Sequence, residues 1–287
     1  MATTTPKMTS SSRSRTFIQA FTSPRDRLSY LWLVLAIVFL LFGTARWTIP
    51  LAAWLYPIFL LRFVRTQPLW RGIGLSLLAT LLVFVFVLQG VFPIPGALYY
   101  LCVFFMGVPF TLPYLIDRVL APRLGGMSGT LVFPLAVTSV WYLNALLNPL
   151  SGAQLNPAYT QYGDLPLLQL LSVTGLWGIV FLMSWLAGLF NWAWEQGFAW
   201  RRVRGGAALY AGLLALVLLF GGARLALFPA QGSTVRVAGI SPSPALIAAA
   251  EKQLSQITLS GTATSADRER ARQMFVQAVA LTMTHIF

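Results

Sequence analysis

Long apolar runs separated by short polar connections constrain this chain more than any other feature. They lie at about Leu28 to Thr44, Trp47 to Leu61, Gly72 to Val91, Gly96 to Ile116, Ser128 to Leu147, Leu167 to Trp194 and Gly206 to Phe228. A helix of roughly 20 apolar residues crosses the hydrocarbon core of a bilayer, where the helix is one of only two forms that satisfy every backbone polar group. The expectation is an all-α polytopic membrane bundle of about seven transmembrane helices over residues 28–228, with the second run the shortest. With 57% apolar and only 9% charged residues, the chain falls outside the composition of water-soluble domains.

Charge then sets the orientation. The formal net charge is +13, which in a soluble protein would suggest nucleic acid. Here the basic residues flank the apolar runs, so anionic lipid headgroups are the expected partner and nucleic acid is not. Lys7, Arg13, Arg15, Arg25 and Arg27 precede the first run, Arg62, Arg65 and Arg71 follow the second, Arg118 and Arg123 the fourth, and Arg201, Arg202 and Arg204 the sixth. The alternate connections hold little beyond Arg46, with Arg224 near the end of the last run. The bias of short loops predicts a cytoplasmic N-terminus, and an odd number of spans then places the C-terminal tail outside the cytoplasm.

The flanking segments read differently. Residues 1–27 are Ser/Thr-rich and basic and are expected to form a disordered arm; no small-residue cleavage site closes the apolar run that follows, which disfavours a signal peptide. In the tail, 231–287, Val235 and Val237 alternate with Arg236 and Ala238 as in a short strand. Ser265 can cap a helix whose face holds Ala271, Met274, Phe275, Ala278 and Leu281. So small an α/β fragment cannot bury a core of its own.

The most distinctive stretch is Tyr159-Thr-Gln-Tyr-Gly-Asp-Leu-Pro-Leu-Leu-Gln169, followed by Thr174-Gly-Leu-Trp-Gly178 and then Asn191. It opens as a polar, aromatic loop without Lys or Arg and runs into an apolar helix that Pro166 can start. Gly175, Gly178, Ser184 and Gly188 offer small surfaces to neighbouring helices. This stretch resembles the last part of the membrane domain of the apolipoprotein N-acyltransferases and their nitrilase-domain relatives, and Thr234-Val-Arg-Val-Ala-Gly-Ile-Ser241 resembles the first strand of the carbon–nitrogen hydrolase domain that follows it in that family. The matching part covers roughly Tyr159 to Ser241.

The resemblance implies a multi-pass protein of a bacterial cytoplasmic (inner) membrane, with an extracytoplasmic nitrilase-like domain beginning in the tail. It implies transfer of an acyl chain from a phospholipid to the N-terminal amine of a lipoprotein acceptor, and no cofactor. The family's Cys nucleophile, Glu base and Lys oxyanion stabiliser would all fall beyond Phe287. No catalytic residue is therefore carried over, and the chain alone is expected to be inactive, with the downstream nitrilase-like domain as its partner.

Local candidates for chemistry fail on position. Cys102 lies in the apolar run Leu101-Cys-Val-Phe-Phe and reads as a small hydrophobe. Glu251 reads as a solvated helix face, and His285, the single His, has no Cys or His neighbour with which to hold a metal. Gly125-Gly-Met-Ser-Gly129 reads as a connection. The acids, among them Asp117, Asp164 and Glu195, are expected at helix ends or outside the membrane, which argues against an ion-coupled transporter. A cluster of Asn144, Asn148, Gln154, Asn156, Tyr159, Gln161, Tyr162, Asp164 and Gln169 gathers at the outer ends of the fifth and sixth runs. It is either an interfacial aromatic belt with loop-capping amides or a mouth for lipid substrate, with Tyr159, Gln161, Tyr162 and Gln169 as candidate substrate-binding residues. A non-catalytic scaffold that presents lipid is the alternative function.

Overall fold

A computed structural model describes residues 28–44, 47–89, 91, 96–147 and 153–228. About 85% of it is helical, and the described residues contain no strand. The expected basic arm, 1–27, and the expected α/β tail, 231–287, lie outside the described residues.

The helices, in order, are α1 (Ser29–Phe42), α2 (Pro50–Thr66), α3 (Leu69–Val87), α4 (Ala97–Leu124), α5 (Gly126–Gly129), α6 (Val132–Leu147), α7 (Leu165–Leu168), α8 (Leu171–Thr174), α9 (Leu176–Glu195) and α10 (Trp200–Leu227). A 3-10 turn, Pro157–Gln161, lies between α6 and α7. Among the described residues, five helical stretches are long and apolar enough to cross a membrane: α3, α4, the continuous α5–α6 stretch Gly126–Leu147, α9 and α10. α1 has 14 residues, about 21 Å at 1.5 Å per residue, short of the roughly 30 Å hydrocarbon core. α2 has 17 residues and carries Arg62 and Arg65 in its last two turns, so it too falls below the length and composition of a full span. Five spans of the expected seven are thus shown by length and composition among the described residues, and α1 and α2 pack against each other.

The core is continuous across the bundle. α9 packs on α2 and α6, α6 on α4, and α4 on α3. Phe63, Val64, Val87, Ile179 and Ala187 are wholly buried where these helices meet. α9 is central: 56% of its most apolar window is buried against protein, against 22% for α10, which lies at the periphery. Leu82, Phe86, Phe105, Leu216 and Leu219 turn outward and remain more than half exposed. Apolar patches of this extent are rare on soluble monomers and are compatible with lipid tails as the surrounding solvent.

Asn191, wholly buried on α9, donates from Nδ2 to the carbonyls of Ile58 (2.9 Å) and Ala187 (3.0 Å) and so ties α9 to α2. Pro57 in α2 and Pro109, Pro113 and Pro122 in α4 all sit inside helices. Helices in lipid tolerate such residues because neighbouring groups re-satisfy the freed carbonyls.

Two local expectations change. The run expected as one helix from Leu167 to Trp194 is interrupted. α7 and α8 are single turns, and the chain re-enters helix at Leu176 only after Gly175, whose φ of +62° is a left-handed conformation that an L side chain adopts at a cost. Gly178 accordingly packs on Thr174 of the same segment, not on a neighbouring helix. The N-terminal part of the run packs on α10, where the backbone of Pro166 lies directly over Gly221. The second change is Asp117. α4 continues to Leu124, so this carboxylate sits two turns inside the helix and is completely buried.

Candidate functional site

The segment 153–175 is built by local capping. Leu155 takes a φ of +61°, a strained conformation for a residue with a branched side chain. Asn156 follows in extended backbone and caps the 3-10 turn: its Oδ1 accepts from the Ala158 N–H at 2.9 Å. Within the turn, the Thr160 hydroxyl donates to the Pro157 carbonyl at 2.7 Å. Asp164 caps α7, accepting from the Leu167 N–H at 3.1 Å, and Pro166 occupies the first turn, where its missing N–H costs nothing.

Gln161 fixes the loop to the bundle. It is 3% exposed. Its Oε1 accepts from the indole N–H of Trp54 at 3.0 Å, and its Nε2 donates to the Pro50 carbonyl at 3.2 Å and to the Thr160 hydroxyl at 2.7 Å. Both amide groups are thus engaged with protein at the N-terminal end of α2. Gln169 is partly exposed and donates back to the Leu165 carbonyl at 3.3 Å within its own turn. Tyr159 and Tyr162 project outward, 52% and 69% exposed.

The four residues expected at a lipid mouth therefore share one segment but not one environment: Gln161 is an anchor, Tyr159 and Tyr162 form an open aromatic surface, and Gln169 belongs to the broken helix. Leu165, Leu171 and Val173 extend that surface as exposed apolar groups. Of the other amides in the cluster, Asn156 is buried as a cap and Asn148 lies outside the described residues.

Beneath the loop, two crevices run into the bundle. One is lined by Tyr56, Phe110, Tyr114, Phe133, Trp141 and Pro157, among others, and the second by Phe84, Met106, Phe110, Trp141, Asn144 and Leu155. They share Phe110 and Trp141, and each encloses about 20 Å³. That volume holds about one water molecule, far less than an acyl chain needs. A lipid tail would have to lie along the outer face of the helices or part Phe110 from Trp141.

At the opposite ends of α2 and α9 the chain concentrates charge. Arg65 makes a two-point pair with Asp117, Nε to Oδ2 and Nη2 to Oδ1 at 2.8 Å each, and its Nη1 donates to Glu195 at 3.0 Å. Three helices, α2, α4 and α9, are locked together there. This ion pair has no signature in the sequence: Arg65 and Asp117 are 52 residues apart and no local motif links them.

Cys102 is half-buried on α4, and no group of His, Cys, Asp or Glu that could hold a metal ion occurs among the described residues. Neither the family models, nor the curated proteins, nor the solved structures contain a match to this chain.

Proposed function

We propose that this chain is the membrane part of an acyl-transfer system resembling the apolipoprotein N-acyltransferases. In this reading it receives a phospholipid at the loop 153–175 and presents its acyl ester to a nitrilase-like domain on the same side of the membrane. The observation that supports it most is the anchored loop running into a broken helix. A polar, aromatic segment without basic residues is pinned to α2 through Gln161, and it is followed by two single helical turns, α7 and α8, before α9 begins beyond Gly175. Tyr159, Tyr162, Leu165 and Val173 are left open at that level.

A surface of this composition suits the boundary between headgroups and tails, where amphipathic aromatic rings are favoured. The chemistry would belong to the Cys, Glu and Lys of the nitrilase-like domain, none of which has a match in this sequence. The membrane part would hold the donor lipid and the lipoprotein acceptor in register. With the N-terminus cytoplasmic and α1 and α2 together returning the chain across the bilayer, this loop faces the extracytoplasmic side.

The test is acylation of a diacylated lipopeptide by the purified chain with phospholipid, with and without a nitrilase-like domain supplied in trans. Transfer that requires both components, and falls several-fold in Tyr162→Ala with the fold intact, is the expected result. Lipid retention without transfer under either condition would favour a lipid-presenting scaffold, and equal transfer by Tyr162→Ala would reduce the loop to an interfacial belt.

A further inference from the structure

At the end of the helices that carries the loop 153–175, Arg224 is the one basic side chain among the described residues. It stands in the last turn of α10, and α10 itself fixes its level in the bilayer. Arg204 and Arg224 are 20 positions apart on this helix, about 30 Å at 1.5 Å per residue, and residues 205–223 between them hold no charged side chain. That spacing matches the roughly 30 Å hydrocarbon core. With Arg204 at one boundary, Arg224 stands at the other, level with the headgroup phosphates.

The guanidinium is held on one side only. Its Nη1 donates to the Ser172 hydroxyl on α8, which gives its own proton to the Gln169 carbonyl at 2.8 Å. A guanidinium has five N–H donors, and among the described residues the other four meet no acceptor. Arg224 is partly exposed, so these donors are open to a ligand. No carboxylate among the described residues pairs with it, and Asp164, the acid of the loop, caps α7 instead. A cation in the last turn suits the dipole of α10, but the dipole fills none of the four donors. A phosphodiester does, because two unesterified oxygens match the planar fork of an arginine. Leu171 and Val173 beside Ser172, and Leu225 and Leu227 beside Arg224, are exposed and offer the apolar contact that lipid tails need and a free phosphate cannot use.

We propose, resting on the loop 153–175 as the place where phospholipid is received, that Arg224, steadied by Ser172, binds the phosphate of that lipid. The site thereby selects phosphate-bearing glycerolipids over diacylglycerol and sets how deep the acyl esters lie beside the loop.

The test uses the full chain in micelles with a phosphatidylcholine that carries a photoactivatable diazirine in its headgroup; labelling of residues 159–175 is read by peptide mass spectrometry. Unlabelled phosphatidylcholine and phosphatidylglycerol should displace the probe, and dioleoylglycerol should not. Labelling should fall about tenfold in Arg224→Gln, equivalent to the loss of one charged hydrogen bond, and several-fold in Ser172→Ala, while Arg204→Gln leaves it unchanged. Ser172→Ala leaves α10 untouched and decides the matter if Arg224→Gln fails to fold. Labelling equal to wild type in the deciding variant, or displacement by dioleoylglycerol as complete as by phosphatidylcholine, overturns the proposal. Acyl transfer with the nitrilase-like domain is followed in parallel. Phosphate-selective labelling that depends on Arg224, without any transfer, keeps this site and overturns the acyl-transfer reading; transfer and labelling both unchanged in Arg224→Gln keep that reading and overturn the site.

Discussion

Replacing Gly221 with Ala tests whether the broken helix is held by close packing on α10. A Cβ built on Gly221 would lie 1.9 Å from the Pro166 carbonyl oxygen and 2.6 Å from its carbon. Real contacts essentially never fall under 3.0 Å, so α7 must retreat by at least 3.0 − 1.9 = 1.1 Å. The obstructing atoms are backbone and no rotamer change relieves them. Overpacking of this kind costs about 1–3 kcal/mol.

The neighbouring Gly222 is the control, since a Cβ there meets nothing within 4 Å and Ala in place of Gly within a helix gains roughly 0.5–1 kcal/mol. At about 2–4 °C per kcal/mol for a chain of this size, Gly221→Ala should unfold several degrees below wild type in a detergent-solubilised thermal melt. Gly222→Ala should unfold at or slightly above it. Two adjacent, chemically identical substitutions should therefore differ in sign. Equal melting temperatures, or a more stable Gly221→Ala, would refute the close approach of α7 to α10.

Other substitutions probe the remaining contacts. Arg65→Met leaves the wholly buried Asp117 without its two-point partner and should destabilise by about 3–5 kcal/mol; adding Asp117→Leu should recover much of the loss in the same melt. Glu195→Gln should cost at most about 1 kcal/mol, since that side chain is 43% exposed and its pairing is screened by water. Gln161→Ala strands the Trp54 N–H and frees the loop from α2, a loss of about 1–3 kcal/mol, readable as faster proteolysis between Ala153 and Thr174. Tyr162→Ala, on the exposed surface, should leave the melt within about 0.5 kcal/mol of wild type while lowering phospholipid retention.

The membrane class of this chain is a property of local composition. Each apolar run declares itself within some 20 residues, and the arginines that bias the connections lie beside them, so hydropathy and charge are legible without knowledge of packing. The caps at Asn156 and Asp164 are legible for the same reason: a short oxygen-bearing side chain reaches N–H groups two or three residues ahead.

The break at Gly175 was not legible, because Gly178 and Gly188 carry the same residue type in the same run and only Gly175 has a positive φ. The break accompanies a packing that lies far along the chain, Pro166 against Gly221 of α10. Nor could the sequence assign Gln161, whose partners at Pro50 and Trp54 are 111 and 107 residues away, or show that Arg65 bonds both Asp117 and Glu195. Hydropathy and helix capping are set by neighbours along the chain and are written in the sequence. Pairing, burial and close approach depend on which helices meet and at what rotation, and tertiary structure alone decides them.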